Sequence, residues 1–453
     1  MRDAFFTIFA LCFKKMTDKI LSTLFTKVFA TFIMLLVVIL NTNSFGAEGT
    51  GTIALVILGL ALLQVLANFC GGTTLVYLTP QKKLFQLLFL SYTWALFSNA
   101  AGLVVLYLLD LVPKEYMIYL IIMTLVDSVY SIHTCVMQGK EDIRTFNIFQ
   151  LSQASLLFLL MGGALLVFRL AHLTPDIRIY LCAYILSYLL PTIGTCFYIG
   201  KRVDHPDFGN IGALFKEMFK LGFWNQLANL TQLLTYRLNY YFIENFIGRE
   251  SVGIYELGTR ISEAVWIFPR SISVVQYARI SNSTDEEYDK KLTINLLKIV
   301  FLFALFAVIC LLLLPASVLG WIFGPEFVLS KPVICSLLPG ILCLSCTSIL
   351  THHFSGHGKY WVNAVSSVTG LTVTAVLGLT LIPRATEVGT LHALQTAGWI
   401  SSCAYGSSLL ISLIVFIKMF HPHASEFLIS REDRFLFKSI IQEKLKNIKQ
   451  KQS

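Results

Sequence analysis

The sequence predicts an all-α integral membrane protein, with about twelve transmembrane helices in two six-helix lobes around a central cavity. Three observations carry this expectation. The 453 residues are 56% hydrophobic, with a mean hydropathy of +0.71, too apolar for a soluble globule. Apolar runs long enough to span as helices of roughly 20 residues recur along the whole chain. Lys and Arg also fall unevenly between alternate loops, as the positive-inside rule requires.

The first set of runs lies near 20–40, 51–78, 84–111, 116–137, 146–168 and 177–200. The second lies near 221–244, 252–280, 292–323, 332–354, 361–382 and 396–420. This gives an N-terminal segment 1–19, a first lobe 20–200, a linker 201–220, a second lobe 221–420 and a basic tail 421–453. The linker contains Lys201-Arg202-Val203-Asp204-His205-Pro206-Asp207-Phe208-Gly209, a polar stretch with Pro and Gly that interrupts helices.

With the N-terminus inside, 24 of the 35 basic residues lie at cytoplasmic ends and loops. Six lie outside: Lys114, Arg169, Arg178, Arg249, Lys331 and Arg384. Both termini are therefore expected in the cytoplasm, and the net charge of +9 reflects topology without calling for nucleic acid. Met16 opens a natural leader into the first span, so either Met1 or Met16 serves as the start. The tail places Leu436, Ile440, Leu445 and Ile448 on one stripe amid lysines. It reads either as an amphipathic helix on an anionic leaflet or as a solvated basic tail.

Two runs carry more charge than lipid tolerates. Residues 221–244 hold Arg237 and Glu244, and residues 252–280 hold Glu256, Arg260, Glu263 and Arg270. An ionisable side chain near a bilayer centre costs roughly 2.5–3.5 kcal/mol on insertion scales, so such groups persist by facing water or each other. On one continuous helix Glu256, Arg260, Glu263 and Arg270 share a face, and so do Gln226, Asn229, Arg237, Tyr240 and Glu244. An arginine-bearing polar lining suits an anionic cargo, because a guanidinium presents a charged planar fork to phosphate oxygens. Pairing of the arginines with Glu244, Glu256 and Glu263 is the structural alternative.

Asp127 is the acid within the first lobe's spans, with His133 six residues on. It is a candidate to bind a coupling proton or sodium ion, as is Glu244, or else a structural partner for an arginine. His352, His353 and His357 cluster at an inner loop, where a solvated or interfacial role is expected. Cys343 and Cys346 form a CxxC inside a span, without a second pair at zinc spacing. No metal and no cofactor are expected. No P-loop or other soluble catalytic signature occurs, which argues against an enzyme.

The chain also echoes itself. Gly46-Ala47-Glu48-Gly49-Thr50-Gly51 and Gly248-Arg249-Glu250-Ser251-Val252-Gly253 are both G-x-E-x-x-G before an apolar run. Gly139-Lys140-Glu141 after the fourth run pairs with Gly356-His357-Gly358-Lys359 after the tenth. An internal duplication of six helices follows as an expectation.

These motifs carry a resemblance. Phe45 to Gly51, Tyr240-Tyr241-Phe242 through Gly253-Ile254-Tyr255, Ser262 to Pro269, and Gly139-Lys140-Glu141 resemble bacterial polysaccharide-export flippases of the Wzx type. Those proteins belong to the multidrug/oligosaccharidyl-lipid/polysaccharide exporter superfamily. The resemblance implies movement of an undecaprenyl-diphosphate-linked oligosaccharide from the inner to the outer leaflet of the bacterial inner membrane by alternating access. The diphosphate would meet Arg237 and Arg260 first, with Arg270, Glu256, Glu263, Asn229, Gln226 and Tyr240 completing the substrate lining. Membrane lipids and a polysaccharide polymerase are the implied partners. The alternatives are a cation-coupled multidrug exporter of the same superfamily and a non-transporting membrane partner in glycan assembly.

Overall fold

A computed structural model gives the backbone of residues 2–281 and 283–427, and the side chains from Thr26 onward except at 274, 278, 282 and 424. The chain is an all-α membrane protein with about twelve membrane-crossing helices. Nine stretches qualify as spans by length and composition among the described residues, the first of them, Thr26–Leu78, running through a break at Gly46. The basic tail 428–453 lies outside the described residues.

Helix α1 (Arg2–Ala67) contains a break at Gly46, whose φ of 66° and ψ of −167° leave the helical region. Glycine adopts this conformation without the penalty a Cβ brings. The break frees the first N–H groups of the following segment, and Glu326 answers one of them: the Ala47 N–H donates to Glu326 Oε2 at 2.6 Å. A carboxylate at a helix N-terminus also meets the positive end of the dipole. Asn43 Nδ2 donates to the Ile322 carbonyl at 2.8 Å beside it. Glu326→Ala should lower stability by about 1–2 kcal/mol; Glu326→Gln should lose less, because its amide oxygen still accepts. Thermal unfolding of the two variants in detergent checks the difference.

The second run, expected as one span to Leu78, is interrupted at Gly71 and Gly72 and resumes as α2 (Gly72–Leu78). Helices α3 (Leu84–Leu108), α4 (Met117–Gly139), α5 (Ile143–Leu170) and α6 (Arg178–Gly200) follow the expected runs. Helix α7 (Ile211–Phe246) begins well before the expected Leu221. The expected span 252–280 is not one helix. It comprises α8 (Arg249–Glu263), a 3-10 turn at Ala264–Trp266, and α9 (Ile267–Ser281). Pro269 explains the break, since it lacks an N–H and its ring crowds the carbonyl four residues back. Helix α10 (Glu286–Leu313) stops where Leu314 turns extended before Pro315, so the expected run to Phe323 ends in a separate short helix, α11 (Ala316–Phe323). Helices α12 (Ser330–Gly356), α13 (Tyr360–Val388) and α14 (Thr390–Phe420) complete the described chain.

The chain forms two compact units. One comprises Met1–Leu257, Pro315–Lys331 and Ile382–Leu394; the other holds Gly258–Leu314, Pro332–Leu381 and Gln395–Ser453. The first has two apolar cores, one around Leu63, Leu120, Leu157 and Leu181, the other around Leu75, Leu78, Leu87 and Met218. The second packs Val300, Ile349, Leu350, Phe354 and Phe416 together. Leu108, Leu170, Phe197, Phe306 and Leu313 stand exposed, as side chains facing lipid should.

In the first unit the 201–210 segment is tied to α3. Asp204 Oδ2 accepts from the Leu84 N–H at 2.8 Å, capping α3, and Phe208 packs edge-on to Phe85 and Phe89. Lys83 Nζ lies 2.7 Å from Asp207 and Lys82 Nζ 2.8 Å from Glu217. The hydrogen bond from Lys83 holds the exposed Asp207 carboxyl below its usual range. Such exposed pairs add little stability, so the cap and the Phe208 contact hold the segment. At the start of α5, burial pushes the Asp142 carboxyl up. Hydrogen bonds from the Tyr198 hydroxyl (2.6 Å) and the Thr145 N–H (3.2 Å) outweigh it and hold the group below its ordinary value.

Candidate functional site

At the repeated motif the first unit brings backbone against backbone. A Cβ on Gly51 would lie 1.9 Å from the Arg249 carbonyl oxygen and 2.8 Å from the Gly253 nitrogen. A Cβ on Gly253 would lie 1.9 Å from the Ala47 carbonyl oxygen and 2.9 Å from the Gly51 nitrogen. The contact is reciprocal: Gly51 and Gly253 hold the same place in the two motifs, as do Ala47 and Arg249. Two copies of one motif packed about a local two-fold axis produce this pattern. Backbone meets backbone, which only glycine permits at this distance. Ser330 Oγ donates to the Ile254 carbonyl at 2.8 Å on the same helix. Beside the contact lies a cavity of about 320 Å³ lined by Glu48, Glu115, Asp176 and Arg249 among others.

Directly along the chain from this contact sit several predicted site residues. Tyr240 and Glu256 are buried, at 1% and 5% exposure, and the Tyr240 hydroxyl donates to a Glu256 carboxylate oxygen. The Tyr255 ring packs edge-on to Tyr240 at 5.7 Å. The Arg237 guanidinium lies 5.4 Å from the Tyr240 ring centroid, within reach of a cation–π attraction. The first unit thus brings Arg237, Tyr240 and Glu256 together where α7 meets α8. Gln226 is buried, and its Oε1 accepts from Asn229 Nδ2 at 3.0 Å. Glu244 is paired elsewhere: Arg249 Nε lies 3.3 Å from it, while Arg249 Nη1 reaches Glu115 at 3.3 Å.

Arg260 and Glu263 lie on α8 beyond Glu256 at helical spacing, with Arg260 exposed and Glu263 half-buried. The 3-10 turn interrupts the helix after Glu263, so the single helical wheel from Glu256 to Arg270 does not describe this stretch. Arg270 is exposed on α9, its guanidinium 5.5 Å from the Trp266 ring.

Asp127 on α4 is half-buried and takes a hydrogen bond from Gln64 of α1. The adjacent Ser128 accepts from Asn99 Nδ2 at 2.9 Å and from Gln64 Nε2 at 3.4 Å. Tyrosines surround this acid: Tyr130 meets Tyr188 edge-on at 5.2 Å, and Tyr184 stacks on Tyr188 at 4.8 Å. Sequence reasoning missed this cage, although Tyr180, Tyr184 and Tyr188 recur every fourth residue. His133 stands apart from it, held between the Tyr92 hydroxyl (2.5 Å) and Thr195 Oγ1 (2.7 Å). In the second unit His353 and His357, read in the sequence as solvated or interfacial, are covered by α10 and α14. His353 is fully buried, and His357 is largely so. No three His, Cys, Asp or Glu side chains among the described residues are placed to hold a metal ion.

No family model matches the chain and no curated protein matches it in sequence. Solved structures do match in shape. An inward-facing multidrug resistance MATE family transporter of the MOP superfamily aligns with a TM-score of 0.65 at 12% identity, over 86% of this chain and 94% of that one. The lipid II flippase MurJ, in an inward closed conformation, aligns with a TM-score of 0.65 at 15% identity, over 93% and 98%. A MOP superfamily transporter from Pyrococcus furiosus Vc1, described as having a binding pocket of reverse polarity, aligns with a TM-score of 0.60 at 13% identity, over 89% and 95%. At these identities the likeness is one of fold, and the chain has the fold of MOP-superfamily transporters across nearly its whole described length.

Proposed function

We propose that the chain is a flippase carrying an undecaprenyl-diphosphate-linked oligosaccharide from the cytoplasmic to the outer leaflet, by alternating access, for surface polysaccharide assembly. The observation that carries this reading is the arginine-bearing α7–α8 pair in a chain of transporter fold. Arg237 lies against Tyr240, whose orientation the buried Glu256 fixes, so the guanidinium is pre-positioned for an anionic group. In this reading Arg237 of the first unit meets the diphosphate, Tyr240 and Glu256 position it, and Gln226 and Asn229 face the glycan. In the second unit Arg260 and Arg270 are further candidates for an anionic group and Glu263 for the sugar. The similarity in fold to a lipid II flippase supports a lipid-linked cargo. The protein then sits in a bacterial inner membrane with both termini cytoplasmic, and hands its product to a polysaccharide polymerase.

The second reading is a cation-coupled multidrug exporter, favoured by Asp127 within its tyrosine cage, since carboxylates and aromatic faces both attract organic cations. In the flippase reading Asp127, or Glu244, instead binds a coupling proton or sodium ion. Leaflet-resolved measurement of lipid-linked oligosaccharide in a deletion strain separates the two. The flippase reading expects the intermediate to accumulate on the inner leaflet with loss of surface glycan. Normal glycan together with new sensitivity to cationic drugs would reject it.

A further inference from the structure

At the Gly356 end of α12, the second unit buries a polar cluster that the arginine mechanism does not use. Asp289 of α10 is 2% exposed and His353 of α12 is fully buried. His357 Nε2 lies 3.3 Å from Asp289 Oδ2. The His353 and His357 rings are 4.5 Å apart between centroids. One turn along α10, Thr293 Oγ1 lies 2.7 Å from His353 Nδ1 and accepts from Gln276 Nε2 of α9 at 3.0 Å. Four buried polar atoms here have no hydrogen-bond partner among the described residues: Asp289 Oδ1, Gln276 Oε1, His353 Nε2 and His357 Nε2.

Each unsatisfied buried polar group costs about 1–3 kcal/mol, so their convergence at one point marks a place prepared for something to bind. Phe354, Phe416 and Phe420 present ring edges or faces to His353 within 5.6 Å, leaving the imidazoles and the carboxylate as the cluster's polar surface. The other charges nearby are engaged. Lys290 lies 2.8 Å from Glu287 and 3.9 Å from Glu426, and Lys359 Nζ lies 4.8 Å from the centroid of the Phe420 ring. His352 on the same helix is turned to the Ser348 carbonyl and to Tyr277, and Arg279 of α9 is exposed.

We propose that Asp289, His357 and His353 form a proton-binding site. A proton on His357 Nε2 converts the 3.3 Å contact into a charge-assisted hydrogen bond to Asp289. It also satisfies one of the four unpaired atoms. Two imidazoles this close do not both carry charge readily, so the cluster holds one proton, with His353 tied to α9 through Thr293 and Gln276. Occupancy therefore links α9, α10 and the end of α12, and histidine is the side chain suited to release that proton near neutral pH. The site's use as the coupling proton of transport rests on the flippase reading; its binding of a proton does not.

The test uses the full chain in lipid nanodiscs with ¹⁵N-labelled histidine, titrated across about pH 5 to 8. Loss of signals in His353→Gln and His357→Gln assigns two of the nine histidines. The expected result is that the His357 signal titrates in wild type, that Asp289→Asn shifts or abolishes that titration, and that the His353 signal stays that of a neutral ring. A His357 signal that stays constant, or that titrates identically in Asp289→Asn, would overturn the proposal. So would a response to sodium at fixed pH in place of the response to protons. If the histidine variants do not fold, a signal whose titration changes between wild type and Asp289→Asn serves in their place, and the absence of any changed signal overturns the proposal. If His357 titrates while the reconstituted chain moves no lipid-linked sugar, the proton site stands and the flippase reading falls.

Discussion

Gly51→Ala and Gly253→Ala are expected to abolish transport while leaving a folded protein of lowered stability. Each added methyl would fall 1.9 Å from a backbone carbonyl oxygen, Arg249 in one case and Ala47 in the other. No rotamer relieves such a contact, because both partners are main chain in helices. The helices must separate, and overpacking of this kind costs about 1–3 kcal/mol. The reciprocal geometry makes a further demand: the double variant should be less than additive, since one separation accommodates both methyls. Gly163→Ala is the control. Its Cβ meets nothing within 4 Å, so it should be neutral or gain up to about 1 kcal/mol from helix propensity. Thermal unfolding and transport, measured on the same preparations, check all four variants. If Gly51→Ala transports normally, the close approach has no part in the cycle.

The second large effect is expected at Arg237 and the pair beneath it. Arg237→Ala should abolish movement of a diphosphate cargo at normal protein levels. Arg237→Lys should retain part of it, because an ammonium restores charge without the planar fork. Tyr240→Phe acts differently. It removes the Tyr240 hydroxyl from the buried Glu256, and a hydrogen bond to a charged group contributes about 1.5–3 kcal/mol. Both stability and transport should fall, whereas Arg237→Ala and Arg237→Lys should differ from each other chiefly in transport. Comparing unfolding temperature with transport for the three variants separates a binding role from a packing role. Wild-type transport in Arg237→Ala would remove this arginine from the mechanism.

Much of the fold is legible in the sequence because lipid imposes a simple rule, and runs of apolar residues report it directly. The charged helices α7 and α8 and the repeated G-x-E-x-x-G motif are legible for the same reason: each departs from a uniformly apolar background. Other features depend on partners far away in the chain. Nothing near Gly46 announces that Glu326 will cap the segment after it. Nothing near His353 and His357 shows that Asp289 will be buried against them, and a loop location by itself points to a solvated or interfacial role. The break at Ala264–Trp266 is legible in Pro269, and a single helical wheel does not carry through it to Arg270. The tyrosines around Asp127 were also visible as a four-residue repeat. Their role depends on α4 and α6 packing together, which local spacing does not specify.

The most direct test of the flippase reading is transbilayer movement by the purified chain. Liposomes carrying a fluorescent, polyprenyl-diphosphate-linked sugar in both leaflets are reconstituted with the protein, and a membrane-impermeant quencher is added outside. The account predicts that quenching proceeds beyond the outer-leaflet half in wild type and stops at that half with Arg237→Ala. Quenching that stops at the outer half in wild type, with the protein folded, would contradict it.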